Sequence, residues 1–366
     1  DGVDNYASDE ELVVDGIKYD ITGTVVARVS TGQDTGLSGV VVIPASISDG
    51  NDSYSVVSIH EDAFRGCNNI TFIEIPDSVT SIQNNAFVGC SNLKEVKLST
   101  NLQMIGMNAF SDCQSLRRIE IPDHVTRIWW GAFFNCSSLE EVKLSINLEK
   151  IMNSTFYNCS SLKVIEIPDS VTSIEESAFY GCSNLEEVKL PTNLQMMERS
   201  AFGQCSSLKV IEIPDSVTSI EDFTFQGCSN LETVKLPTNL ETIKDNAFTQ
   251  CNSLRMIEIP DSVTSINDSA FGWCSNLEEI KLSASLQTIG RNVFRQCENL
   301  RVIEIPNSVT SVGEGAFFEC RSLEKAQLSE NLQTIEKQAF FGCQNLAMIE
   351  IPDSVTTMAS AFNGCT

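Results

Sequence analysis

The sequence predicts a solenoid: a stack of 23-residue coils with a parallel sheet along one face, irregular or short helical arcs along the other, and a small β cap at the N-terminal end. Three observations predict it. The fourteen cysteines, from Cys67 to Cys365, fall 23 residues apart at every step but the last, which is 22. A phenylalanine precedes each of them by three residues, from Phe64 through Phe202 to Phe362. The words between them alternate, IEIPDSVTSI in one coil and VKLPTNLQ or a close variant in the next, so the full period is 46 residues.

Residues 1–11 are acidic and poor in large apolar side chains, the composition of a flexible tail. Residues 12–57 stand outside the repeat and read as a β-rich cap. Within it, VVDGIKY (Val13 to Tyr19) predicts a hairpin about a two-residue Asp-Gly turn. TVVARV (Thr24 to Val29) and GVVVIP (Gly39 to Pro44) predict further strands. Stacked apolar coils need such a cover, because an open end would associate with other chains.

Residues 58–366 hold about thirteen coils. In CSNLKEVKLSTNLQMIGMNAFSD (Cys90 to Asp112), Leu93, Val96 and Leu98 alternate as a short strand. Leu102, Ile105, Ala109, Phe110 and Cys113 are spaced like the inward side of a turn or short helix. No coil covers its own apolar edge, so the strands are expected to stack at ~4.8 Å into a sheet about 60 Å long. Pro76 and its counterparts as far as Pro352 end each IEIP strand, since a residue without an N–H stops the ladder. Asp77 and its counterparts are expected to hold the turn by bonding the backbone beyond it. The last coil, one residue short, is expected to leave an edge that a following segment or a partner shields.

On the sheet face the outward residue runs Glu74, Lys97, Glu120, Lys143, Glu166, Lys189 and onward in alternation to Glu304, Gln327 and Glu350. In-register stacking is expected to put each acid between bases, at about 0.2–1 kcal/mol per pair. The ladder is structural on one reading and also the floor of a binding face on another. The column beside it, from Phe72, Glu95 and Arg118 to Val302, Lys325 and Met348, mixes apolar and charged residues. Such a face suits a broad protein partner better than a small molecule.

Composition and motifs narrow the chemistry. With 49 acidic against 24 basic residues the formal charge is −25, which disfavours nucleic acid and anionic membrane as partners. No apolar run approaches the roughly 20 residues of a membrane span. The N-terminus lacks a signal-peptide pattern, so the chain is either cytoplasmic or has lost its leader. One cysteine per coil, with no CxxC pair, reads as a column of buried thiols in place of disulfides or a zinc site. His60 and His124 lie nearly three coils apart, and no HExxH or phosphate-cradling loop occurs. The repeated carboxylates are equivalent by translation, whereas acid–base catalysis needs unlike environments. Neither an enzyme nor a cofactor is expected. The Asp77, Asp123, Asp169 column could be a calcium row, but its members stand two coils apart, near 10 Å, too far for one ion.

Departures from the repeat mark candidate contacts. The third coil has Trp129 and Trp130 where others are polar, and Met152 holds the equivalent of Trp129 one coil on. The residue after the repeated phenylalanine is aromatic at Phe134, Tyr157 and Tyr180 in succession. Stacking would line these rings up, either as an exposed strip for protein or sugar or as packing folded over the coil edge. Together with Glu120, Lys143, Glu166 and Lys189 on the sheet face they make the candidate partner-binding set.

The words CSNLEEVKLPTNLQMMERSAFGQ, IPDSVTSI and AF, recurring from about Val57 to Thr366, resemble the BspA-like leucine-rich repeats. The lead-in DGIKYDIT, with GVVVIPASI and YSVVSIHEDAF, is similar to the N-terminal cap of such proteins in gut and oral Bacteroidetes. The resemblance implies a right-handed leucine-rich solenoid and an exported, surface-attached protein that adheres to host proteins or other cells along a curved face. It implies no catalytic residues. The function expected is therefore non-catalytic recognition of host or neighbouring-cell protein, with a glycan as a further possible ligand. A structural spacer or self-associating module is the alternative, and an intracellular scaffold a third, since free thiols suit a reducing setting.

Overall fold

The computed structural model describes residues 10–22, 26–29, 36–358 and 360–365. Most of the expected acidic tail, residues 1–9, lies outside the described residues, as do Thr24 and Val25 of the second expected cap strand. The chain divides into two compact units, residues 1–170 and 171–366.

The first unit opens with the cap. Strands β1 (Glu10–Val14) and β2 (Ile17–Ile21) form the expected antiparallel hairpin. Its turn residues Asp15 and Gly16 have φ of 51° and 79°, the left-handed pair a two-residue hairpin demands. Strand β3 (Val26–Val29) runs antiparallel to β2, and β4 (Gly39–Val42) and β5 (Ser46–Ser48) follow. Then β3 pairs in parallel with β6 (Ser53–Ile59), while β4 pairs in parallel with β7 (Ile70–Glu74). The cap thus supplies a starting strand to two ladders.

Two ladders were not expected. The coils between the first and the last carry a three-residue strand, such as Glu95–Lys97, and a second of two residues, such as Met104–Ile105. Both stack in parallel on the next coil: Phe72 opposite Glu95 in one ladder, Ile82 opposite Ile105 in the other. The second strand lies in the SVTSI and NLQMI words, where the sequence reading had only the start of an arc. Its Ile is buried while the residue before it faces outward, a period of two too short to register as a strand.

The arcs are turns, and no helix occurs among the described residues. The physical reason lies in the hydrogen bonds. Asn85, Phe87 and Gly89 donate their N–H groups to Met107, Ala109 and Ser111 of the next coil at 2.7–2.8 Å, so these donors are lost to an i−4 ladder. Each arc also holds two left-handed residues, for instance Asn85 at φ 55° and Gly89 at φ 73°, which no α-helix accepts.

The core is a queue of identical side chains. In the first unit the rings of Phe64, Phe87, Phe110, Phe133 and Phe156 stack in near-parallel steps of 4.9–5.5 Å. In the second, Phe202 sits between Phe179 at 5.2 Å and Phe225 at 5.9 Å, and the queue continues to Phe362. Beside it, thiols from Cys90 onward donate to the carbonyl of the phenylalanine one coil back, as Cys136 to Phe110 at 3.1 Å and Cys228 to Phe202 at 3.2 Å. Where a threonine replaces the alanine before the ring, its hydroxyl finds a carbonyl in its own arc: Thr155 donates to Met152 and Thr224 to Glu221, both at 2.7 Å. Burial therefore leaves neither hydroxyl unsatisfied.

The turn aspartates act differently from expectation. Asp77 Oδ1 accepts the backbone N–H of Thr100, 23 residues on, at 2.8 Å, and Asp215 accepts that of Thr238 at 2.7 Å. They tie one coil to the next instead of closing their own turn. These bonds hold both carboxyls below the usual carboxylate range.

Candidate interaction surface

The three-residue strands bury their middle side chain and expose the two beside it, so every coil places two residues on the sheet face. One is the charge column. Lys97 meets Glu74 at 2.6 Å, and Lys143, Lys235 and Lys281 likewise meet Glu120, Glu212 and Glu258. In each pair the lysine reaches back one coil, so the acids are paired off with a single base instead of standing between two. The hydrogen bond and charge of Glu74 raise the Lys97 ammonium above its ordinary value, and Glu120 does the same for Lys143. Glu166 ends the strand Val164–Glu166 in the first unit and Lys189 the strand Glu187–Lys189 in the second, both exposed.

Backbone pairing follows the same two-coil grouping. Arg118–Glu120 matches Glu141–Lys143 at three residues, as Val210–Glu212 matches Thr233–Lys235 and Met256–Glu258 matches Glu279–Lys281. Glu95 to Arg118 and Glu187 to Val210, by contrast, are single matches. An IEIP coil and the VKL coil after it form the tighter pair, which expresses the 46-residue period in the sheet.

The second column carries exposed aliphatic side chains at that period. In the second unit these are Val210, Met256, Val302 and Met348, with Met256 64% exposed, and Thr233, Glu279 and Lys325 alternate with them. Two open depressions lie on this face, features the sequence reading did not find. One, of about 820 Å³, is bounded by Glu279, Arg301, Val302 and Gln327, and the other, of about 870 Å³, by Lys325, Gln327, Met348 and Asp353. Gln327, standing where other VKL coils hold lysine, is the sequence signal for them.

On the turn side the aromatic residues are mostly packed. Phe134 and Tyr157 stack at 4.8 Å, and both are half-buried. Trp129 is half-buried with the Arg127 guanidinium 5.2 Å above its ring, and Met152 is half-buried in the next coil. Trp130 is 45% exposed. Tyr180, in the second unit, is half-buried over Gly203, where a Cβ would come within 2.8 Å of the ring. The sequence reading missed two further aromatic residues, Phe223 and Trp273, although each departs from the repeat. They occupy left-handed positions, φ 58° and 59°, where other coils carry Gly or a polar residue. Arg199 lies 4.7 Å over the Phe223 ring.

No group of three or more His, Cys, Asp or Glu suited to a metal ion occurs among the described residues, and no described helix is long and apolar enough to cross a membrane. All the cysteines are free. Burial pushes the Cys90 and Cys228 thiols up to about 12, far from reactive thiolates.

The repeat geometry of paired coils, a phenylalanine queue and a thiol column agrees with a sequence comparison. The profile of the BspA type leucine rich repeat region, in six copies, matches residues 57–172, 149–278 and 241–366. The chain belongs to this family. Among solved structures, this BspA-type chain is similar to a leucine-rich repeat protein from Bacteroides ovatus, with 30% identity over 95% of this chain and 99% of that one and a TM-score of 0.76. It is also similar to a leucine rich cell surface protein from Faecalibacterium prausnitzii, with 26% identity over 94% and 95% and a TM-score of 0.56. A leucine-rich repeat protein from Eubacterium ventriosum shares the fold, with 24% identity over 96% and 94% and a TM-score of 0.58. No curated protein matches the chain.

Proposed function

We propose that this BspA-type chain is a non-catalytic recognition protein, exported and held at the cell surface, whose sheet face binds a protein of the host or of a neighbouring cell. One observation carries the reading: Val210, Met256, Val302 and Met348 stand exposed at a fixed interval on a face whose core is already complete without them. Aliphatic side chains set among ion-paired charges have the make-up of a protein interface, apolar at its centre and polar at its rim. The surface location is supported by the Faecalibacterium relative, which is itself a leucine rich cell surface protein.

The experiment compares the chain with a Val210→Ser, Met256→Ser, Val302→Ser variant on immobilised matrix proteins and intact epithelial cells. Saturable binding that the variant loses, at an unchanged melting temperature, is expected. Equal binding by both forms, or none across the panel, would overturn the reading.

A further inference from the structure

On the turn side of the second unit, Asp268, Ser269, Arg291, Arg295, Glu314 and Gln338 are among the residues lining a pocket of about 330 Å³ that belongs to neither column of the sheet face. Arg295 is its unusual member. The guanidinium lies 4.1 Å over the Phe318 ring and 5.7 Å from that of Trp273, so rings from the following and preceding coils hold it between them. Its Nε is buried without an acceptor, and its one hydrogen bond, from Nη1 to Asn292 Oδ1, is long at 3.5 Å. No carboxylate pairs with it among the described residues, in a chain with 49 acids. An arginine fixed by stacking but left without a counter-ion keeps its Nη donors for a ligand, and a planar fork of N–H groups matches a carboxylate.

The rest of the wall says what carries that carboxylate. The Ser269 hydroxyl and the Gln338 side-chain amide also belong to the wall, a donor and acceptor set suited to ligand hydroxyls. Arg291 is paired with Glu314 at 2.9 Å and Asp268 accepts the Arg291 backbone N–H at 2.8 Å, which leaves Arg295 as the wall cation without a counter-ion. The volume sits at the small end of ligand pockets, suited to one ring. The net charge of −25 disfavours an approaching polyanion but is screened beyond about 8 Å for a single charge.

We propose that this pocket binds one carboxylated monosaccharide, a sugar acid of the uronic or sialic class, through Arg295. The site adds a glycan-reading function on the side of the coils opposite in role to the protein-binding face, and stands or falls separately from it.

The test is calorimetric titration of the whole chain with glucuronic acid and N-acetylneuraminic acid, beside glucose, inorganic phosphate and N-acetylglutamate. A dissociation constant on the order of 1 mM for a sugar acid is expected, with glucose weaker by at least about tenfold. Arg295→Lys keeps the charge and loses the fork, and should weaken binding about tenfold, while Arg321→Lys, outside the pocket, should not. Gln338→Asn keeps a residue that tolerates the left-handed backbone and shortens the amide, and should weaken binding without disturbing the Arg295 stack. The proposal is overturned if no sugar acid binds, if Arg295→Lys and Gln338→Asn both bind as well as the parent, or if phosphate or N-acetylglutamate binds as tightly.

Discussion

The repeated cysteine is a small core residue, and its S–H serves a carbonyl of the neighbouring coil, as at Cys136 and Cys228. Burial removes both access and thiolate. Under native conditions a thiol reagent should therefore spare the buried cysteines and reach Cys365, which is half-buried, whereas all fourteen should react in denaturant. Mass spectrometry after timed alkylation checks this, and rapid native labelling of Cys136 or Cys228 would contradict it. The phenylalanine queue is the other residue-scale device. Phe202 is fully buried between two rings, so Phe202→Ala should cost about 3–5 kcal/mol by denaturant titration, and an unchanged midpoint would show that the ring is not in the core. Both columns are legible in the sequence, because translation by 23 residues brings like side chains into contact. The partner of each S–H is not legible, since it is a carbonyl 26 residues away that carries no sequence signal.

At the scale of the strand and the turn, the reading was right about the sheet strands and the cap hairpin and incomplete about the rest. The second ladder escaped because two residues cannot display a period, and the arcs proved to be turns because their N–H groups bond across coils. The inter-coil bond to Asp215 lowers its carboxyl from the ordinary 3.8, so the ionised form is favoured in the folded chain. The stability this bond supplies is present above the unfolded value and is lost as pH falls through the lowered one. Asn307 holds the same place and accepts the same bond, from Glu330 N–H at 2.9 Å, without titrating. Asp215→Asn should accordingly keep the melting temperature at neutral pH and lessen its fall below about pH 4, measured by thermal scans across pH. Parallel acid limbs for parent and variant would remove the Asp215 bond from the account. On the turn side, Trp130 is exposed while Phe134 is stacked on Tyr157. Trp130→Ser should shift stability by no more than about 0.5 kcal/mol, and Phe134→Ala by more. Comparable losses from both would assign Trp130 a packing role too.

At the scale of the whole chain, a net charge of −25 makes association sensitive to salt. Long-range attraction by a basic partner is screened beyond about 8 Å at physiological ionic strength. The association rate with a cationic protein ligand should therefore fall as salt rises, while dissociation from the aliphatic column proposed as its contact should change little. Stopped-flow or surface-based kinetics over a salt series would show it, and a salt-independent association rate would mean that the carboxylates do not steer the encounter.

By itself the sequence determined the coil length, the residues of the core column and the two alternating coil types, because each follows from periodicity along one chain, and its recurring words carried the resemblance to the family. Only the tertiary structure decided that Lys97, Lys143, Lys235 and Lys281 pair with the acid one coil before, that the coils group in twos, and that Arg295 stands between two rings without a counter-ion. The physical reason is one of direction. Translation symmetry says which residues are neighbours, but a hydrogen bond or a stacked cation depends on which way a side chain leans across the gap, and side chains with no repeat partner, such as Trp273, lean according to their own surroundings.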